Sequence, residues 1–121
     1  MYCGKIYLDG KLIGTMSWSY SGMSREIIPI KNKEGYFKVG DIDDFGKISI
    51  QGESISEEQI AILSELQSKN TIPDIKLFQG DSGKALEFEK EIPHGLKITK
   101  LEKKGSTVNV ELDVIKGFLS F

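Results

Sequence analysis

The chain has 121 residues, 39% of them hydrophobic and 28% charged, with a net charge of −2, which suits one core-forming domain over residues 1–121. That charge balance excludes free nucleic acid as the main partner, since phosphate binding needs clustered surplus Lys and Arg. A single cysteine, Cys3, and a single histidine, His94, exclude an internal disulfide framework and the commoner zinc sites, so no metal or other cofactor is expected.

No apolar run approaches the length of a membrane span, and Met1-Tyr2-Cys3-Gly4 enters a strand pattern without a basic-then-apolar leader, so no membrane contact and cytoplasmic synthesis are expected. Ile6-Tyr7-Leu8, Asp9-Gly10 and Lys11-Leu12-Ile13 spell a β-hairpin, because Asp-Gly accepts the positive φ angles of a type I′ turn. The second arm alternates, with Leu12, Gly14, Met16, Trp18 and Tyr20 predicted on one face and Thr15, Ser17, Ser19 and Ser21 on the other. Arg25 to Ile30 reads as a further strand carrying Ile28 and Ile30 on one side, and Pro29 makes it an edge. After the polar loop Lys31–Gly35, Tyr36 to Val39 resumes the extended pattern with Phe37 and Val39 in phase. Lys47 to Gln51 is a strand with Ile48 and Ile50 inward.

The stretch from Ile55 to Asn70 is where the chain commits to a helix, predicted over about 56–69. Ser56 and Gln59 form a capping box, and Ile55 and Ile60 flank it as a hydrophobic staple. Glu57 and Glu58 suit the first turn, Lys69 the last, and Asn70 with Pro73 supplies a stop. Ile60, Ile62, Leu63 and Leu66 give an apolar stripe that must lie on a sheet.

Beyond the helix, Asp74 to Gln79 alternates through Ile75 and Leu77, and Gly80-Asp81-Ser82-Gly83 is a turn by composition. Leu86, Phe88, Lys90 and Ile92 share one face of the next strand, with Glu87, Glu89 and Glu91 on the other. Pro93-His94-Gly95 turns the chain into a strand led by Leu96 and Ile98. Lys103 to Ser106 turns it again, and Val108, Val110, Leu112 and Val114 alternate regularly before the apolar end Gly117-Phe118-Leu119-Ser120-Phe121. The fold class is mainly β (α+β): an antiparallel sandwich or barrel of about seven or eight strands, with one flanking helix between the fifth and the sixth.

Four patterns invite a reading as sites. Gly80 to Lys84 is no phosphate loop, because Phe78 stands at the place of its first glycine, Ala85 follows the lysine and a strand comes next. Nor is it a protease nucleophile turn, with only His94 as a base in so short a chain. Asp41, Asp43 and Asp44 lack the third oxygen ligand and the distal glutamate of a calcium loop. Glu87, Glu89 and Glu91 lie on one strand face, whereas glycoside chemistry needs two carboxylates facing each other across a substrate. Trp18 with Met16 and Tyr20 is read as core rather than a ligand platform. No catalytic residues are assigned and the chain is read as a non-enzyme.

Gly4 to Gly14, GKIYLDGKLIG, resembles the start of the tail tube proteins of contractile phages and phage-like particles, particularly those of Gram-positive prophages. The similarity continues in the order of elements: a long second strand running into Arg25-Glu26, a loop region, the Gly-flanked strand Lys47–Gln51, one helix, a strand after a proline, and a closing run of strands. The resemblance implies a barrel or sandwich subunit forming a homo-oligomeric ring, a hexamer, stacked with others into a tube. Its partners would be itself and other tail or sheath proteins, with DNA only as passing cargo, and its assembled location the virion or particle. A tube initiator or baseplate component fits the same order. It further implies that Arg25 to Val39, with Arg25, Ile28, Ile30, Phe37 and Val39, contacts the neighbouring ring. Phe118, Leu119 and Phe121 complete the expected interface. The alternative reading is a monomeric β domain that binds peptide or carbohydrate on an edge.

Overall fold

The computed structural model describes residues 2–21, 46–91 and 93–121. The order of elements is β1 (Tyr2–Leu8), β2 (Lys11–Ser21), β3 (Lys47–Glu53), α1 (Glu57–Gln67), β4 (Ile75–Phe78), β5 (Ala85–Phe88), β6 (Gly95–Lys104), β7 (Thr107–Lys116) and β8 (Leu119–Ser120). All eight strands belong to one antiparallel sheet in the order β6-β7-β3-β2-β1-β4-β5-β8. The mainly β class is therefore what the chain adopts, with a single helix among the described residues.

The connectivity forces this sheet to curl. β7 is second in the order and β8 is last, yet only two residues, Gly117 and Phe118, join them. Such a link spans at most about 10 Å, while six strand spacings of a flat sheet amount to about 29 Å. A second stitch crosses the same seam: Ile72, on the way into β4, exchanges backbone hydrogen bonds with Leu96 of β6, at 2.6 and 3.0 Å. The sheet thus wraps into a barrel, and the side chains inside it, from Ile6 and Leu8 through Trp18, Ile48, Leu77 and Leu86 to Val110 and Leu112, form one core.

The opening hairpin forms as expected, with positive φ at both Asp9 (54°) and Gly10 (76°). Its second arm departs from simple alternation. The register slips between Ile6 and Tyr7, so that Ile6 faces Gly14 but Tyr7 faces Leu12, and Ile13 becomes the extra residue of a β-bulge. As a result Ile13 is buried while Leu12 is 49% exposed, correcting the predicted inward position of Leu12. Gly14 makes the bulge possible, for its φ of 146° disfavours any side chain and a Cβ there would lie 2.6 Å from Gln59 Nε2.

The helix is the element closest to expectation at its start. Ser56 caps it, accepting from the Gln59 N–H, while the Gln59 carboxamide accepts from the Ser56 N–H at 2.9 Å. Ile55 and Ile60 both pack on the core, as a staple should. The same Gln59 side chain donates through Nε2 to the Ile13 carbonyl at 2.5 Å, which pins the first turn to the bulge. β3 pairs with β2 only over Ser17–Ser21, leaving the first half of β2 without β3 beside it. α1 packs against β2 and β6, with Leu63 and Leu66 fully buried.

The end of the helix differs. It stops at Gln67, and Ser68 closes it by donating its hydroxyl to the Glu65 carbonyl at 2.6 Å. Lys69 lies beyond the last turn and pairs instead with Asp9, Nζ to Oδ2 at 2.9 Å. Three described strands precede the helix, and the expected strands at 25–30 and 36–39 lie outside the described residues, as do Asp41, Asp43 and Asp44. β5 is shorter than predicted. It ends at Phe88, and Glu91 takes a φ of 66° in a turn, so Lys90 does not extend the inward face of that strand. Ile92 lies outside the described residues.

Two substitutions test this account in urea denaturation. Leu63→Ala should cost about 2–5 kcal/mol by opening a cavity against the barrel. Gly14→Ala should cost about 1–3 kcal/mol through its backbone region, and Gln59→Ala should relieve part of its steric component. Equal losses from Gly14→Ala with and without the Gln59→Ala change would remove the proposed coupling.

Candidate functional site

The interior of the barrel is closed to ligands by its own packing. Trp18, 1% exposed, donates its indole N–H to the Phe78 carbonyl at 2.9 Å. β1 lies between their strands, and the two groups meet because Gly4 of β1 has no side chain; a Cβ there would stand 2.1 Å from that oxygen. Trp18 is therefore core, as read from sequence. No buried side-chain nitrogen or oxygen lacks a hydrogen-bond partner among the described residues, so nothing inside is poised for an absent ligand.

Outside the core, the Gly80–Lys84 motif resolves as a turn. Ser82 N–H donates to the Gln79 carbonyl at 3.2 Å, Lys84 N–H donates to the Ser82 hydroxyl at 3.3 Å, and Gly80 N–H donates to the Cys3 carbonyl at 2.7 Å, so Gly80–Lys84 is an exposed turn between β4 and β5 that is tied to β1 at its start. The three glutamates do not form one strand face. Glu87 sits in β5 with Lys76 4.0 Å away; Glu89 accepts from the Ser120 hydroxyl, and Glu91 is in the turn. His94 is half-buried and stacks on Phe88 with ring centroids 4.4 Å apart, a more structural role than a surface turn. Cys3 is exposed. Among the described residues there is no group of three or more His, Cys, Asp and Glu that could hold a metal, and no helix long and apolar enough to cross a membrane.

The expected interface residues separate in space. Arg25, Ile28, Ile30, Phe37 and Val39 lie outside the described residues. The C-terminal three are described and are partly used by the fold itself. Leu119 enters β8 and packs on the core, and the Phe118 carbonyl accepts from Glu89 N–H at 2.9 Å. Phe121 is 57% exposed but leans on Tyr2 and Trp18, with centroids 5.9 and 6.0 Å away. Tyr2, itself 37% exposed, lies 4.7 Å from Trp18. The three rings make an aromatic cluster that runs from the core at Trp18 out to the exposed edges of Tyr2 and Phe121.

Two further surface features were not read from the sequence. One is a polar groove of about 230 Å³ across β2, β3, β7 and β6, holding Ser17, Gln51, Asn109 and Glu111 beside Glu102. Lys104 and Lys100 flank Glu102 at 3.0 and 3.3 Å and hold its carboxyl below the ordinary carboxylate value. The other is an aromatic pair on the outside of the sheet. Tyr7 lies between the buried Ile6 and Leu8 and so points outward, and the rings of Tyr7 and Phe78 meet edge to face at 5.9 Å and 72°. Their outward parity was the available signal, since an aromatic at a wet position does nothing for the core.

Because its carboxyl is stabilised in the charged form, Glu102 contributes stability above its unfolded value that is lost as pH falls through its lower folded one. Carboxyl-detected NMR should find its midpoint below that of an unstructured glutamate, and Lys104→Met should raise it more than Lys100→Met. An unchanged midpoint in both variants would break the assignment. Comparisons with protein families, curated proteins and solved structures find no match for this chain.

Proposed function

We propose that the chain is a non-enzymatic structural subunit of a phage-like tail tube, or a tube initiator or baseplate component, assembling as stacked hexameric rings around a central lumen. The observation that supports this most is the architecture: one antiparallel barrel with, among the described residues, a single flanking helix set between β3 and β4. It is the architecture implied by the resemblance that begins at Gly4–Gly14. Residues 22–46 link two strands that pair directly with each other, which is where the resemblance expects the segment that reaches a neighbouring ring. The exposed ring edges of Tyr2 and Phe121 suit a contact between copies, since heterologous contacts between unlike patches generate rings when the rotation closes.

Light scattering coupled to size exclusion, with negative-stain imaging at rising concentration, should show rings or tubes. A strictly monomeric species up to about 1 mM would overturn the reading, because contacts weaker than that are not assembly contacts. Phe121→Ser is the sharper probe of the terminal patch. It should leave the monomer folded, at a cost of about 1 kcal/mol, and reduce assembly. Deleting residues 118–121 is less informative, because β8 and Leu119 also serve the fold.

A further inference from the structure

The outward aromatic pair is a surface feature of the described residues that neither the core nor the turns explain. Tyr7 and Phe78 sit diagonally on the adjacent strands β1 and β4, where Tyr7 pairs with Lys76 and Ile6 with Leu77. Two shallow grooves share the pair as their floor. One, of about 290 Å³, is completed by Lys5, Asp81 and Ser82, and the other, of about 250 Å³, by Asp74 and Lys76. We infer that this outer face of β1 and β4 is a carbohydrate-binding site, with Tyr7 and Phe78 as the stacking platform for a neutral oligosaccharide that occupies both grooves.

The chemistry of the rim selects that ligand class. Each groove carries one lysine and one aspartate, and Glu87 stands 4.0 Å from Lys76 beside the second, so neither groove has the surplus cations an anion needs, and a cation would meet a lysine in each. Nucleic acid is disfavoured for the same reason, because it requires surplus cations along its path. An extended peptide would need free backbone groups to pair with. Here β1 is already paired with β2 and β4, and β4 with β1 and β5, so no sheet edge is offered. What is left is an aromatic floor ringed by donors and acceptors. It complements a pyranose, which has an apolar C–H face and a hydroxyl rim. Each groove is smaller than the range usual for drug-sized ligands, about 300–1,000 Å³, and suits a single ring. The bulge in β2 adds to the platform by turning Leu12 outward directly across from Tyr7.

This inference stands apart from ring formation, and its test does not depend on assembly. The full chain would be titrated with neutral cellotriose, chitotriose and maltotriose while aromatic and amide NMR resonances are followed. At least one sugar should shift Tyr7, Phe78, Lys76 and Asp81 while leaving Trp18 and Leu63 in place. Phe78→Ala should weaken that binding at least about tenfold with the core resonances unchanged, as loss of a stacking platform would, and Phe78→Trp should retain it. Absence of shifts on this face with all three sugars at about 10 mM would overturn the proposal, since a site with a Kd of about 1 mM would then be nine-tenths filled. Tighter binding of a sulfated or uronic-acid trisaccharide would overturn it too, because the site would then prefer anions.

Discussion

Closure of the sheet governs everything else in this molecule. Once Gly117 and Phe118 carry the chain from β7 to the far side of β5, the inward side chains have no neighbours but one another. Alternating strands that would otherwise form a half-wet layer then become the wall of a single core. The Ile72–Leu96 bridge holds the same seam further along. Where β3 leaves β2, the wall has a gap, and the helix fills it with Leu63 and Leu66. The helix is thus part of the barrel's closure rather than an ornament on its outside, and its capping glutamine reaches the strand it must accompany.

This division of labour explains which features could be read in advance. Ser56, Gln59, Ile55 and Ile60 announce the helix start because capping is local, decided by side chains three to five residues apart. The Asp9-Gly10 turn and the regular alternation of Val108 to Val114 are local too. The bulge at Ile13 is not. Alternation through Leu12, Gly14 and Met16 predicts one face, and only the partner strand, with its slipped register, reveals that Ile13 is inward. Gly14 was the clue, since a glycine inside a strand marks a bulge or a close approach, and here it marks both. The last turn of the helix and the premature end of β5 failed for a similar reason. Lys69 answers to Asp9, and the chain after Phe88 answers to β8, both partners distant in sequence. Among the candidate site residues, Phe118 and Leu119 serve the fold itself through β5 and β8, which composition alone could not reveal, while the Tyr7–Phe78 pair needed the registers of two strands to be seen at all.

The functional picture follows from where polar and apolar atoms have been placed. Among the described residues the buried side-chain polar groups are satisfied, and the chemically varied features lie on the surface. That surface is differentiated, with an aromatic cluster ending at Phe121, a hydroxyl- and amide-rich groove beside Glu102, and aromatic grooves on β1 and β4.

The path by which β1 finds β4 has a kinetic side. Trp18 and the carbonyl of Phe78 are 60 positions apart, and β3 meets β7 over a comparable separation. Hairpins β1–β2 and β6–β7 and the helix are local, whereas the pairings that shut the barrel are remote, and chains dominated by remote contacts reach the native state in milliseconds to seconds rather than microseconds. Until then β1 presents an unpaired edge carrying Ile6 and Leu8 beside exposed backbone, the kind of strand that joins other chains. Lys5, standing outward on β1 one residue before that apolar segment, then acts as a gatekeeper against aggregation in the interval before β4 arrives.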